Sequence, residues 1–330
     1  MAATIVRTAP AVAEPAAEPI AAKPRTVATA TRPAEPLDVH KLASLTADPV
    51  VGKAARVDGE ERHGVVAFTF DDGPNPETTP AVIDALEKYD IPATFFIVTQ
   101  RITGKHGDKA REILQRELDA GFLVGSHSVT HPDLKKASAD KLSKEIDASI
   151  KTLAVTANRP IGMFRAPYGS LGPAGRGRLK KLGLTEVFWS IDTLDWKAHN
   201  EARLRKKVGT MIKKAGGGVV LMHDVKPITA RVIAEVLDDL EADNCARLAD
   251  HKEPIVPVSL HYFLRDGKAP RALPEAVVQR TEAYRNALPE RCAKRPPPPA
   301  PPPAATPPAA STPAPSPAAT APSQRAPAPK

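Results

Sequence analysis

The chain has 330 residues and a formal net charge of +8, with 25% of its residues charged and only 4% aromatic. No apolar run reaches the 18 residues or so that a membrane helix needs. No strand interleaves basic and aromatic side chains in the manner of single-strand nucleic-acid binders, so nucleic acid is set aside as a partner.

Residues 1–62 read as an N-terminal linker ordered in part at most, because residues 1–36 hold 12 Ala and 6 Pro without apolar periodicity. The first residues lack the charged start and apolar centre of a secretory signal. Ala/Pro-rich ends are typical of envelope spacers. A periplasmic, cell-envelope or secreted protein whose leader is missing from this sequence is therefore expected, in preference to a cytoplasmic one.

From Val65 onward, short apolar runs alternate with longer amphipathic segments. Seven such runs are present: Val65–Phe70, Ala93–Val98, Phe122–Gly125, Gly162–Phe164, Glu186–Trp189, Gly218–Met222 and Pro254–Val258. Between them lie helical patterns, such as 80–88 with Val82, Ile83 and Leu86 on one side, and 139–153 with Leu142, Ile146, Ile150 and Leu153 at three- and four-residue spacing. Strand followed by helix, with nearly continuous apolar strands, implies an α/β fold with a parallel sheet. Closed on itself, it is a distorted (β/α)7 barrel; an open doubly wound sheet has the same periodicity. The polar residues favour the barrel, because they gather just past the strands, where barrels of this type build their sites.

Residues 265–295 form a basic extension with eight Lys or Arg against four Asp or Glu. Such a skirt either adheres to an anionic polymer such as a cell wall or is simply a solvated face. Residues 296–330, with 15 Pro and 11 Ala, read as a disordered tail of polyproline II character. Cys245 and Cys292 lack metal or dithiol spacing and are either one disulfide or two buried thiols. The chain is expected to act as a monomer.

Five runs end in residues capable of chemistry. Asp71 and Asp72 follow the first, His127 and His131 the third, Arg165 and Tyr168 the fourth, Asp192, Asp195 and Trp196 the fifth, and His223 the sixth. Each has a plainer explanation alone: a chance H-x-x-x-H, a turn-capping Asp pair, a satisfied core histidine. Five together at one rim point to a site.

Histidines four residues apart face the same way on a helical turn, so two imidazoles can meet one ion, with a carboxylate as third ligand. Three protein ligands leave positions open for water and substrate. The donor set suits Zn2+, with Co2+, Ni2+ or Mn2+ as alternatives. Of the adjacent aspartates, one then binds the metal while the other serves as general base. Arg165 suits the base as a charged partner, and His223 suits a general acid held by Asp195.

The same residues resemble the polysaccharide deacetylases grouped as carbohydrate esterase family 4. The motifs are T-F-D-D-G-P at 69–74, H-S-V-T-H-P at 127–132, R-A-P-Y-G at 165–169, W-S-I-D-T-L-D-W at 189–196 and V-V-L-M-H-D at 219–224. The resemblance covers about residues 63–264, which it marks as the catalytic domain. It implies that Asp72, His127 and His131 bind a divalent metal and that Asp71 is the base, oriented by Arg165. His223 is implied as the acid, tuned by Asp195. The Tyr168 backbone N–H would stabilise the oxyanion, and Trp189, Trp196 and Leu221 would wall the pocket for the acetyl methyl. The implied reaction is hydrolysis of acetyl groups on a polymer of N-acetylglucosamine, peptidoglycan first and chitin or chito-oligosaccharides next. A glycan-binding module that keeps the fold without turnover is the reading from another class.

Overall fold

The computed structural model describes residues 44–60, 62–103 and 107–296; the expectations for the two Ala/Pro-rich ends, over 1–43 and 297–330, lie outside these. The central strand β1 (Val65–Asp71, VVAFTFD) is buried along its whole length, as a strand covered on both faces must be. Helix α1 (Thr79–Lys88) follows and buries Val82, Ile83 and Leu86 on one side. Then come β2 (Ala93–Ile97), the short α2 (Gln100–Thr103), α3 (Gly107–Asp119) and β3 (Leu123–Ser126).

A long helical arm starts at Ser138, whose side chain accepts the Lys141 N–H as a cap. It runs as α4 (Ala139–Leu142), a π-helical turn over Ser143–Asp147, and α5 (Ala148–Ala157). The remaining elements are β4 (Met163–Phe164), α6 (Pro173–Leu182), β5 (Thr185–Glu186), β6 (Ile191–Asp192), α7 (Glu201–Ala215), β7 (Gly218–His223), α8 (Pro227–Ala249) and β8 (Val256–Pro257).

All strand pairs in the main sheet are parallel, in the order β5-β4-β3-β2-β1-β7-β6, with β8 paired to the start of β1. The sheet curls into a half-barrel, the distorted form of the expected fold. The fifth apolar run does not make one strand. It splits into β5 and β6, which end on opposite edges of the sheet. Only residues 187–190 join them, too few for the crossover that neighbouring parallel strands require.

Residues 57–59 fill the opening between those edges. Val57 donates its N–H to the Glu186 carbonyl at 3.0 Å and accepts from the Phe188 N–H at 2.7 Å, while Ser190 Oγ donates to the Gly59 carbonyl at 2.9 Å. Val51 and Val57 are buried there, so the ordered body extends upstream of residue 63.

Downstream, a two-stranded hairpin, β9 (Arg265–Asp266) with β10 (Ala269–Pro270), leads into α9 (Glu275–Lys294). Helix α9 buries Tyr284 and Leu288 and is tied to α8 by a Cys245–Cys292 disulfide, which decides between the two states open to these cysteines. Within the extension, Arg271, Arg280, Arg291, Lys294 and Arg295 pair with Asp266, Asp90, Glu241, Glu290 and Asp238. Five of its eight cations are thus paired inside the chain, which favours a solvated face over adhesion to an anionic polymer.

Candidate active site

The C-terminal ends of β1, β3, β4, β6 and β7 meet around one pocket of about 450 Å3. It is lined by Asp71, Asp72, His127, His131, Tyr168, Trp189, Asp192, Trp196, Leu221, His223 and Lys226. Every candidate from the sequence except Arg165 and Asp195 lines it, and those two lie directly behind Asp71 and His223.

Asp71 is the last residue of β1 and sits opposite His223 in the β1–β7 register. Side chains alternate along a strand, so Thr69 and Asp71 share a face. Arg165 reaches both, donating from one terminal nitrogen to Thr69 Oγ1 at 2.8 Å and to Asp71 Oδ1 at 2.7 Å. Its guanidinium is fully buried over the Phe96 ring and also donates to the carbonyls of Val187 and Phe188. A buried charge of this kind is tolerable only with its donors satisfied and a counter-charge in place. One oxygen of Asp71 is thereby committed, and the other, Oδ2, faces His127 Nε2 at 3.6 Å.

Asp72 leaves the strand with φ +76°, a left-handed conformation that Asp tolerates better than most residues. Gly73 follows because a Cβ there would lie 2.2 Å from Asp224 Oδ2. Asp224 is fully buried behind this turn and accepts a hydrogen bond from Thr79. The sequence reading quoted Asp224 in its last motif but gave it no role.

Asp72, His127 and His131 each offer a ligand atom within 4.8 Å of the others. His131 Nε2 is 3.3 Å and His127 Nε2 3.7 Å from Asp72 Oδ1, and that oxygen is buried with no hydrogen-bond partner. His127 Nδ1 lies 2.7 Å from the Arg165 carbonyl, which can only accept. The proton is therefore on Nδ1 and the Nε2 lone pair faces the cluster, the orientation usual for a metal-ligating imidazole. An orphaned carboxylate oxygen facing the Nε2 atoms of two imidazoles fits a divalent cation.

The two histidines do not share a helical turn, contrary to the expectation from their spacing. Residues 127–131 form an irregular loop with Ser128 at φ +71° and His131 at φ +61°. A helical turn would satisfy its own amides, whereas this loop borrows acceptors. The buried Glu145 takes the N–H groups of Val129 at 3.1 Å and Thr130 at 2.9 Å and the Thr130 hydroxyl at 2.6 Å, while Ser128 Oγ accepts the His131 N–H at 3.0 Å. Glu145 stands in the π-helical turn and is anchored by Lys141 Nζ at 3.0 Å. Sequence reasoning missed it; the only signal is a carboxylate on the otherwise apolar face of the 139–153 pattern. Burial, and then His127, holds the His131 imidazole below its usual value, with Asp72 and Asp71 opposing.

On the far wall, His223 Nδ1 donates to Asp195 Oδ1 at 2.7 Å, and Asp195 Oδ2 accepts from the His223 N–H and from Thr229 Oγ1. Burial disfavours the charged imidazolium. The bond and charge of Asp195, followed by Asp71 and Asp72, outweigh burial and raise His223 to about 9. Asp195 itself is held below the usual carboxylate range, because its bonds to His223 and Thr229 overcome its own desolvation.

Tyr168 sits in a 3-10 turn at φ +58°, with its ring edge-on to His131 at 4.5 Å between centroids. Leu221 is buried, Trp189 partly buried and stacked on Phe188, and Trp196 is 52% exposed at the rim. Asp192 and Lys226 complete the lining without an assigned role in the sequence reading.

A model of the polysaccharide deacetylase family matches residues 58–187. Over 177 residues the chain is 34% identical to the peptidoglycan-N-acetylglucosamine deacetylase PgdA of Listeria monocytogenes, an alignment covering 54% of this chain and 36% of that protein. It thus spans about a third of the length of that relative. It is 33% identical over 180 residues to a chitooligosaccharide deacetylase of Azorhizobium caulinodans, covering 54% of this chain and 81% of that one. The crystal structure of the Bc1960 peptidoglycan N-acetylglucosamine deacetylase, in complex with an N-hydroxybenzamide, matches 58% of this chain and 88% of its own, with 26% identity and a TM-score of 0.51.

Proposed function

The chain belongs to the polysaccharide deacetylase family, and we propose that it hydrolyses the acetamide of N-acetylglucosamine units in peptidoglycan, releasing acetate. Chitin or chito-oligosaccharide is the second substrate class. The observation that carries this reading is the cluster of Asp72, His127 and His131 around the orphaned Asp72 Oδ1, with Asp71 alongside and His223 across the pocket.

Asp72, His127 and His131 would hold the metal, Zn2+ by the match of two imidazoles and a carboxylate, with Co2+, Ni2+ or Mn2+ as alternatives. When bound, such an ion acidifies the attacking water and polarises the amide carbonyl. Asp71 takes the proton of that water at Oδ2, since Oδ1 is held by Arg165. The Tyr168 N–H donates to the carbonyl oxygen as charge develops there. His223 gives its proton to the departing nitrogen as the carbon–nitrogen bond breaks, and Asp195 keeps the imidazolium charged until then. Trp189, Trp196 and Leu221 form the wall against which the acetyl methyl packs.

A disulfide between helices forms and persists in an oxidising compartment, which supports a periplasmic, envelope or secreted location. Acetate release and product masses from purified peptidoglycan and chitopentaose, measured side by side with zinc-loaded protein, test the reading. Loss of one acetyl per modified sugar is expected, faster on peptidoglycan. Binding to these glycans without acetate from either, or from acetylated xylan, overturns it in favour of a binding module.

A further inference from the structure

The pocket around the cluster adjoins a second one of about 410 Å3, lined by Asp72, Val98, Gln100, Arg101, Thr130 and His131. The two share Asp72 and His131. A cation lines each: Lys226 in the first and Arg101 in the second. Neither forms an ion pair with a carboxylate among the described residues, although the buried Asp224 feels the charge of Arg101.

Arg101 is exposed on a helical turn that is fixed to the histidine loop. Just before it, Thr99 donates its N–H to the Ser128 carbonyl and Gln100 donates its N–H to the Val129 carbonyl, both at 3.1 Å. The backbone that presents the guanidinium is thus tied to the backbone that presents His127 and His131. Lys226 is placed comparably, its N–H donating to the His223 carbonyl at 3.1 Å. Two positioned, unpaired cations beside a site read as acting on a glycan fit an anionic substituent on that glycan, and a guanidinium matches a carboxylate in two-point geometry.

We propose that the second pocket is a subsite for a carboxylate on the sugar next to the one losing its acetyl group. Arg101 is its anion-binding residue and Lys226 a second cation at the mouth. The proposal rests on the deacetylase reading, and it makes the site selective for an acidic glycan over neutral chitin.

Binding is measured by calorimetry on zinc-loaded Asp71→Asn protein, so that it is read apart from turnover. The probes are glycan strands bearing lactyl carboxylates, the same strands after carboxyl reduction, and chitopentaose. Native strands are expected to bind about five- to tenfold more tightly than reduced ones at low salt, with the gap narrowing as salt rises. Arg101→Gln should erase most of the gap while leaving chitopentaose affinity unchanged, and Lys226→Gln should erase part of it. Equal binding of native and reduced strands, or an Arg101→Gln variant that weakens all three alike, overturns the subsite. Absence of acetate release by the wild type overturns the deacetylase reading instead, and the binding gap is scored regardless.

Discussion

The backbone carbonyl of Arg165 accepts the His127 Nδ1–H at 2.7 Å while its side chain holds Asp71 at 2.7 Å. One residue thus aims both the His127 imidazole of the proposed metal cluster and the neighbouring carboxylate, the first by its main chain and the second by its guanidinium. Arg165→Lys separates the two tasks. Lysine keeps a charge and the same carbonyl but loses the fork that reaches Thr69, Val187 and Phe188. Zinc content should stay near that of the wild type while kcat falls roughly a hundredfold, the size expected for a misplaced catalytic group. Parallel loss of zinc and activity would count against this division.

Asp71 and Asp72 separate the same way. Asp71→Asn removes the proposed proton acceptor and keeps the Asp72, His127 and His131 side chains, so zinc measured by atomic absorption should persist while turnover drops about 10²–10⁴-fold. His127→Ala deletes a proposed ligand and should lose both. A fully metallated His127→Ala protein would rule out the ligand set.

The strand-end chemistry was legible in the sequence because short, nearly continuous apolar runs locate strand ends, and Asp71, Arg165 and His223 stand at or just past theirs. The histidine loop was not. Four-residue spacing reads as one helical turn, but left-handed Ser128 and His131 and acceptor atoms from Glu145, which stands 14 residues past His131, override that reading. The split of the fifth run into β5 and β6 was equally hidden, since the filling segment around Val57 carries isolated apolar residues with no period of its own.

Glu145 offers the sharpest test of that loop. Its two oxygens accept three bonds from Val129 and Thr130 and one from Lys141, which an amide with a single acceptor oxygen cannot reproduce. Glu145→Gln is expected to weaken zinc binding about 10–100-fold by calorimetry, as loss of outer-shell support typically does, with the far-ultraviolet circular dichroism unchanged. Unaltered zinc affinity would show that the loop holds its shape without the carboxylate.

His223 carries a pH signature. Its value is raised to about 9, so the stability it contributes is complete below the unfolded imidazole value and is lost as pH rises through about 9. As a proton donor it should sustain kcat up to a similar pH and fail above it. Asp195→Asn removes the largest raising contribution and leaves burial opposed only by the charges of Asp71 and Asp72, so the alkaline limb should move down by about 1–3 pH units. A profile of kcat against pH for both proteins checks this, and an unmoved limb would exclude His223 as the group that titrates.

The Cys245–Cys292 bond closes a span of 47 residues between α8 and α9, so its main effect is to restrict the unfolded chain. Helix α9 has other attachments, among them buried Tyr284 and Leu288 and the Arg291–Glu241 and Arg295–Asp238 pairs, and neither cysteine lines the pocket. The double variant Cys245→Ser/Cys292→Ser should therefore fold with its site intact but lose about 2–4 kcal/mol in denaturant titrations, with zinc affinity and turnover per folded molecule unchanged. The same loss should follow reduction of the wild type, which ties the stability of α9 to an oxidising compartment. A stability change below about 0.5 kcal/mol would mean that the ion pairs and the two buried side chains hold α9 unaided, since surface substitutions without a structural role fall in that range.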